Sequence, residues 1–116
     1  MRNIGKSPAP PANRELEDFG RFLEPALLIL VGLAEGPRHG YELMKESERL
    51  SGQALGPGTL YGAVARLVRR GLIEAIPSTD RRRPYRLTDA GRRLLGAELV
   101  RMRDVARLGL TRLASS

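Results

Sequence analysis

Residues 25–34 form an uninterrupted apolar run, PALLILVGLA, and this run constrains the fold more than any other feature. Ten residues are too few to cross a bilayer, because a membrane-spanning helix needs about 20. Pro25 is favoured in the first turn of a helix, and a helix of this composition is apolar on nearly every side. We therefore predict a central buried helix that several other elements must cover.

Two further helices are predicted on either side of a short turn at residues 51–56. The second helix spans about residues 39–50, and the third begins at Pro57 and extends to about residue 70, where Gly71 suits a C-terminal cap. Three- and four-residue spacing predicts their inner faces. These are Leu43, Met44, Ser47 and Leu50 on the second helix, and Leu60, Val64, Leu67 and Val68 on the third.

A β-hairpin and a long helix complete the predicted order. Residues 72–76 and 84–87 are β-compatible and flank a polar, turn-rich connection, so they predict two strands with a basic tip. Thr88 is a good N-cap for a last helix over residues 89–113. The fold class is therefore mainly α with a small β-hairpin: a winged helix-turn-helix followed by a long C-terminal helix.

The last helix carries a narrow apolar stripe, which requires another helix to cover it. The stripe consists of Leu95, Leu99, Met102, Ala106 and Leu113. One interpretation is that it packs back on the first helix of the same chain. However, a helix of 25 residues on so small a core leaves its far end unpaired, so we predict a homodimer.

Positive charge is concentrated in one segment. The formal net charge is +7, and residues 66–93 contain nine arginines against three acidic residues. The planar donor fork of arginine suits phosphates and guanine edges. We therefore predict double-stranded DNA as the partner.

Nothing in the sequence predicts an enzyme, a cofactor or a metal site. The chain has no cysteine and one histidine, His39, and it shows no nucleophile–base set or glycine-rich phosphate loop. Its start lacks the apolar segment of a secretory signal, so a cytoplasmic protein without membrane association is expected. We divide the chain into a disordered arm (1–21), a winged helix-turn-helix (22–88) and a dimerisation helix (89–116).

Three stretches resemble the PadR-like family of transcriptional regulators. They are GPRHGYEL at residues 36–43, PGTLY at 57–61 with GLIE at 71–74, and RRRPYRLTDAG at 81–91. The resemblance is to the compact subgroup with a single C-terminal helix. It implies a homodimer joined through that helix, repression of nearby genes and relief of repression by a small-molecule effector. Gly62 departs from the many members with proline there, and the chain lacks the Trp with which some members hold flat ligands.

Candidate DNA contacts lie on three predicted elements. The start of the third helix offers free N–H groups, hydroxyls and the positive end of the helix dipole to phosphates. Arginines further along it suit guanine edges, and those at the hairpin tip suit a minor groove or flanking phosphates. Solvated surface positions are the alternative for all of these residues, and core packing is the alternative for Tyr41. The set is Tyr41, Lys45, Gly58, Thr59, Tyr61, Gly62, Arg66, Arg69, Arg81, Arg82 and Arg83.

The predicted function is sequence-specific DNA binding by a transcriptional regulator. The expected form is a ligand-responsive repressor that binds a palindromic operator as a homodimer. One alternative is a winged helix that binds an effector or a protein without reading DNA. An RNA-binding winged helix is disfavoured, because Tyr61 and Tyr85 alone make a poor stacking platform.

Overall fold

The computed structural model describes residues 25–79 and 81–116, so the predicted arm, residues 1–21, lies outside the described residues. Four helices and three short strands form within this part of the chain. The helices are α1 Pro25–Gly32, α2 Gly40–Ser51, α3 Pro57–Arg69 and α4 Asp89–Ser115. The strands are β1 Arg38–His39, β2 Ile73–Ala75 and β3 Pro84–Leu87. This order confirms the predicted winged-helix architecture with a long C-terminal helix.

Helix α1 lies at the centre of the core, as its apolar composition predicts. Ile29 of this helix and Leu33, directly after its end, are almost fully buried, and α1 packs against α2, α3 and α4. Full burial of a large aliphatic side chain contributes about 1.5–3 kcal/mol, so this helix fixes the positions of the other three. The rest of the buried cluster is Leu30, Leu43, Leu60, Ala63, Val64, Leu67, Ile73, Leu87 and Leu95.

The predicted inner faces of α2 and α3 are wrong at Leu50 and Val68, both of which are exposed. Each lies one residue before the end of its helix, where the helix has passed the edge of the core. Helix α1 also ends two residues earlier than predicted, at Gly32, whose carbonyl oxygen accepts a 2.8 Å hydrogen bond from Arg38 Nε. Periodicity continues beyond the packed part of a helix, so it overestimates burial at the ends.

A third strand, β1, forms where the sequence predicts the approach to α2. Arg38 pairs with Tyr85 and His39 with Pro84, so β1 is antiparallel to β3, which pairs with β2 on its other side. Two residues are too few to show an alternating pattern. The strand ties the hairpin of residues 73–87, which we call the wing, to the start of α2.

The start of α4 is fixed against the end of α3. Gly71 has a positive φ of 72°, and the N–H of Leu72 donates to the Leu67 carbonyl oxygen at 3.0 Å, which completes the helix end. The Thr88 hydroxyl donates to the Gly71 carbonyl oxygen (2.6 Å) and accepts from the Gly91 N–H (3.0 Å), as expected of an N-cap. Gly91 packs so closely on Leu72 that an added Cβ would overlap the Leu72 carbonyl oxygen.

Gly91→Ala is therefore expected to lower the free energy of unfolding by about 1–3 kcal/mol, because the backbone at Leu72 must move. The measurement is urea denaturation. Gly96→Ala is the matched control in the same helix, since an added Cβ there meets no atom within 4 Å. It is expected to raise stability by about 0.5–1 kcal/mol through helix propensity. Equal effects of the two substitutions would contradict the close contact at Gly91.

Candidate nucleic-acid interface

One cleft of about 330 Å³ brings together the tip of the wing, α3 and the start of α2. Two stretches that are distant in sequence therefore lie side by side, as DNA contact by both of them requires. All three tyrosines of the chain face this cleft. Its lining is His39, Gly40, Tyr41, Tyr61, Tyr85, Arg81, Arg82 and Arg83.

The ring of Tyr61 is held across Gly40 at the start of α2. A Cβ built at position 40 would lie 2.5 Å from the Tyr61 hydroxyl oxygen, so only glycine leaves room for the ring in this position. The side chain remains 51% exposed. The ring is thus positioned beside the wing, and about half of the residue stays accessible to a partner.

Tyr41 and Lys45 lie one turn apart on the outer face of α2. Tyr41 is 60% exposed, which excludes the core interpretation. The Lys45 Nζ atom lies 5.5 Å from the centre of the Tyr41 ring, within the range of a cation–π contact. This pair places a positive charge next to the cleft that Tyr41 lines.

The exposed face at the start of α3 carries little side-chain volume. Gly58, Gly62 and Ala65 lie on it beside Thr59, and all four are exposed. A Cβ at Gly58 or Gly62 would meet no atom within 4 Å, and neither residue has a positive φ. Neither packing nor backbone conformation requires glycine here, so the bare surface is available for close approach by a partner. The first N–H groups of the helix lack acceptors within the helix.

Arg66 and Arg69 are both exposed, but they differ in position. Successive helix residues are about 100° apart, so Arg69 lies about 80° from Tyr61 around α3, and Arg66 about 140°. Arg69 therefore extends the bare face, whereas Arg66 lines a separate depression with Pro25, Ala26, Leu67 and Arg70. Arg66 therefore lies further around α3 from Tyr61, and from the cleft that Tyr61 lines, than Arg69 does, and the expectation that it shares a surface with the wing arginines stays a prediction.

Part of the basic segment is neutralised within the fold. The Arg86 Nε atom of β3 lies 2.7 Å from a carboxylate oxygen of Glu74, the residue paired with it on β2. Such a cross-strand pair stabilises the base of the wing modestly. Arg86 therefore belongs to the base of the wing and is not one of the arginines that line the cleft.

The far half of α4, from Leu99 onward, contributes no residue to the core of the described chain. Every residue from Leu99 onward is exposed, although Leu99, Met102, Ala106 and Leu113 keep the predicted stripe. Leu110, which is 68% exposed, was missed although it follows Ala106 by four residues and precedes Leu113 by three, so it belongs to the stripe. Leu95 requires a correction: it is 4% exposed and packs in the core of its own chain. The stripe open to a partner therefore begins at Leu99.

Residues 25–79 and 81–116 contain neither a cluster of metal-binding side chains nor a membrane-spanning helix. No group of three or more His, Asp or Glu residues there is arranged to hold a metal ion. In the same part of the chain, no helix has the length and apolar character needed to span a membrane.

Known proteins are similar to this chain over most of the helices and strands described above. The model of the transcriptional regulator PadR-like family covers residues 29–97. A 37.1 kDa protein of transposon Tn4556 from Streptomyces fradiae is 49% identical over 72 residues, which are 62% of this chain and 21% of that protein. The transcriptional activator GvpE2 of Halobacterium salinarum is 35% identical over 72 residues, 62% of this chain and 36% of GvpE2. The chain thus spans only about a fifth and a third of these relatives.

A solved structure shows the same fold. The crystal structure of a PadR family transcription regulator from Clostridium difficile R20291 superposes with a TM-score of 0.66 at 27% identity. The superposition covers 72% of this chain and 92% of that one, so the similarity extends over nearly the whole of the solved protein.

Proposed function

Because the chain belongs to the PadR-like family of transcriptional regulators, we propose that it regulates transcription by binding double-stranded DNA. Helix α3 enters the major groove and the wing contacts the flanking backbone or minor groove. The family consists of transcription regulators rather than enzymes, in agreement with the sequence-based prediction. The observation that supports the proposal most strongly is the cleft in which the wing arginines and Tyr61 adjoin the exposed start of α3.

Each proposed contact has a distinct role. The first N–H groups of α3 and the hydroxyls of Thr59 and Tyr61 donate to phosphate oxygens, while Gly58 and Gly62 allow the backbone of the DNA to come close. Arg69 lies in the middle of the exposed face of α3 and Arg66 at its flank, and both reach base edges or phosphates. Lys45, Tyr41 and the wing arginines hold phosphates beside the groove.

We propose that the exposed stripe of α4 joins two copies of the chain. A dimer presents two α3 helices related by a two-fold axis, and such an arrangement fits a palindromic operator.

We further propose that the protein is a cytoplasmic repressor whose DNA binding responds to a small molecule. The resemblance to the PadR-like family implies the repression and the response to a small molecule, whereas GvpE2 is an activator. A reporter with the operator upstream of its promoter gives the direction of regulation: loss of the protein raises expression if the protein represses.

The salt dependence of binding tests the DNA-binding proposal. Fluorescence anisotropy with a labelled duplex is expected to show affinity falling by about 10³–10⁵ between ~50 and ~200 mM salt, as for about 6–10 neutralised phosphates. A winged helix that binds only an effector or a protein gives no complex with DNA at any of these salt concentrations. Binding that does not change with salt would also contradict the proposal.

Gly62→Ala separates DNA binding from folding. The substitution is expected to raise the free energy of unfolding by about 0.5–1 kcal/mol, because alanine favours the helix and its Cβ meets nothing in the protein. DNA affinity is expected to fall about tenfold, equivalent to about 1.4 kcal/mol, because the methyl group holds the groove away. Thermal denaturation and anisotropy measure the two effects. The control Gly96→Ala gains stability alone, and unchanged affinity of Gly62→Ala would refute close approach.

A further inference from the structure

His39 is the only histidine of the chain, and it is not among the DNA contacts proposed above. It ends β1, where it pairs with Pro84 of the wing, and it is also the N-cap residue of α2. Its side chain lines the cleft together with the wing arginines. His39 therefore lies where the wing, α2 and the proposed DNA surface meet.

The two ring nitrogens of His39 differ in their surroundings. Nδ1 is buried and, among the described residues, makes no hydrogen bond of normal geometry, although Oε1 of Glu42 is only 3.3 Å away. The same oxygen accepts a 3.1 Å hydrogen bond from the His39 N–H, which holds the carboxylate in place. The side chain as a whole is 29% exposed. Because Nδ1 is buried beside Glu42, contact with a phosphate falls to the opposite nitrogen, Nε2.

A neutral imidazole cannot serve both of these neighbours. It carries one proton, and with that proton on Nδ1, toward Glu42, Nε2 presents a lone pair. A lone pair repels a phosphate oxygen, whereas an imidazolium has an N–H on each nitrogen and can donate to Glu42 and to a phosphate at once. A phosphate contact at His39 therefore requires a proton, which histidine side chains ordinarily gain or lose between about pH 5 and 8.

The charges around His39 act in opposite directions. Glu42 favours the imidazolium, whereas Arg38 on the same strand and the arginines of the cleft oppose it. Arg38 is itself engaged, since its Nε donates to the Gly32 carbonyl oxygen at 2.8 Å and its Nη2 lies 3.9 Å from Glu35. A DNA phosphate neutralises the arginines and attracts the imidazolium, so both effects favour protonation in the complex. The other titratable groups that line the cleft are Tyr41 of α2, Tyr61 of α3, and Arg81, Arg82, Arg83 and Tyr85 of the wing.

On the basis of the proposed DNA binding, we propose that His39 is a further DNA contact that takes up a proton from solvent when a phosphate binds in the cleft. Glu42 positions the ring and stabilises its charged form. The imidazolium contact is present at low pH and is lost as the pH rises through the range in which bound His39 releases its proton. DNA binding is therefore tighter at about pH 6 than at about pH 8.

Fluorescence anisotropy with a labelled duplex of arbitrary sequence measures this effect, because phosphate contacts do not depend on sequence. Titrations at constant ionic strength between about pH 6 and about pH 8 compare the full chain with His39→Gln, whose amide does not take up a proton. The unchanged protein is expected to lose at least about fivefold in affinity across this range, and His39→Gln less than about twofold. Far-UV circular dichroism verifies that both are folded.

Calorimetry of the same binding reaction in two buffers of different ionisation enthalpy counts the protons directly. The unchanged protein should take up protons on binding, and His39→Gln should take up none. Equal pH profiles and equal proton uptake in the two proteins would overturn the role of His39 while leaving DNA binding intact. Absence of binding at every pH would overturn both.

Glu42→Gln tests the positioning of the ring. The amide oxygen can still accept from the His39 N–H, so the start of α2 is retained, but the charge that favours the imidazolium is lost. The pH profile of affinity should therefore move to lower pH. Glu46→Gln is the matched control on the same helix, since Glu46 pairs with Arg49 at 2.7 Å and does not line the cleft. Identical profiles for the two variants would overturn the role of Glu42.

Discussion

Replacing Arg82 and Arg83 with alanine is expected to weaken DNA binding by about 10²–10³-fold at about 0.15 M salt. In a dimer the change removes four guanidinium groups, and each one that neutralises a phosphate contributes about 0.9 to the slope of log affinity against log salt concentration. The slope should therefore fall by about 3–4. The loss should be similar for every DNA sequence, because backbone contacts carry no sequence information.

The matched control for the wing is Arg107→Ala with Arg112→Ala, which removes the same charge from the far half of α4. Salt screens exposed charges that lie further apart than the Debye length of about 8 Å, so most of the charge on the far half of α4 is screened from DNA at the wing. A small residual effect of less than about threefold is therefore expected. Anisotropy titrations at three salt concentrations compare the two variants. An equal loss in the control would mean that net charge alone, rather than the wing, determines affinity.

Leu99→Glu is expected to raise the dissociation constant of the proposed dimer by at least about 100-fold. The symmetric interface would have to bury two carboxylates in an apolar seam, at a cost of several kcal/mol, and about 1.4 kcal/mol corresponds to a factor of ten. Glutamate is a good helix former, so α4 itself is retained. Sedimentation velocity over a range of protein concentrations measures the change.

Val100→Glu provides the comparison for Leu99→Glu. Both residues are exposed apolar positions of α4, but Val100 lies about 100° further around the helix and outside the stripe. It is expected to leave the dissociation constant within about threefold of the unchanged protein. If both substitutions, or neither, dissociate the dimer, the stripe is not the interface.

The element order was predictable because particular residues mark the ends of elements. Pro57 begins α3, Gly71 ends it with a positive φ, and Thr88 caps α4 through its hydroxyl. Each of these residues acts locally, so its effect is visible in the sequence. Strand β1 was not predictable, because its two residues are held by pairing with β3 rather than by a local pattern.

The candidate site was predictable in its residue types but not in its grouping. Helical spacing places Arg66 on an exposed face, yet only the packing of α1 shows that it lines a depression with Pro25 and Ala26. Leu95 and Leu99 have the spacing of one stripe, but α4 leaves the core between them. The contact of Tyr61 with Gly40 joins two helices and has no signal in the periodicity of either.

Selection of bound fragments from a random DNA pool by the full chain tests the central claim most directly. The protein is expected to enrich sites with two inverted half-sites whose centres lie about one helical turn, or a multiple of it, apart. Such a site reports both DNA reading by α3 and the two-fold symmetry of the proposed dimer. A pool that shows no enriched sequence after repeated rounds would contradict the assignment of this surface to sequence-specific DNA recognition.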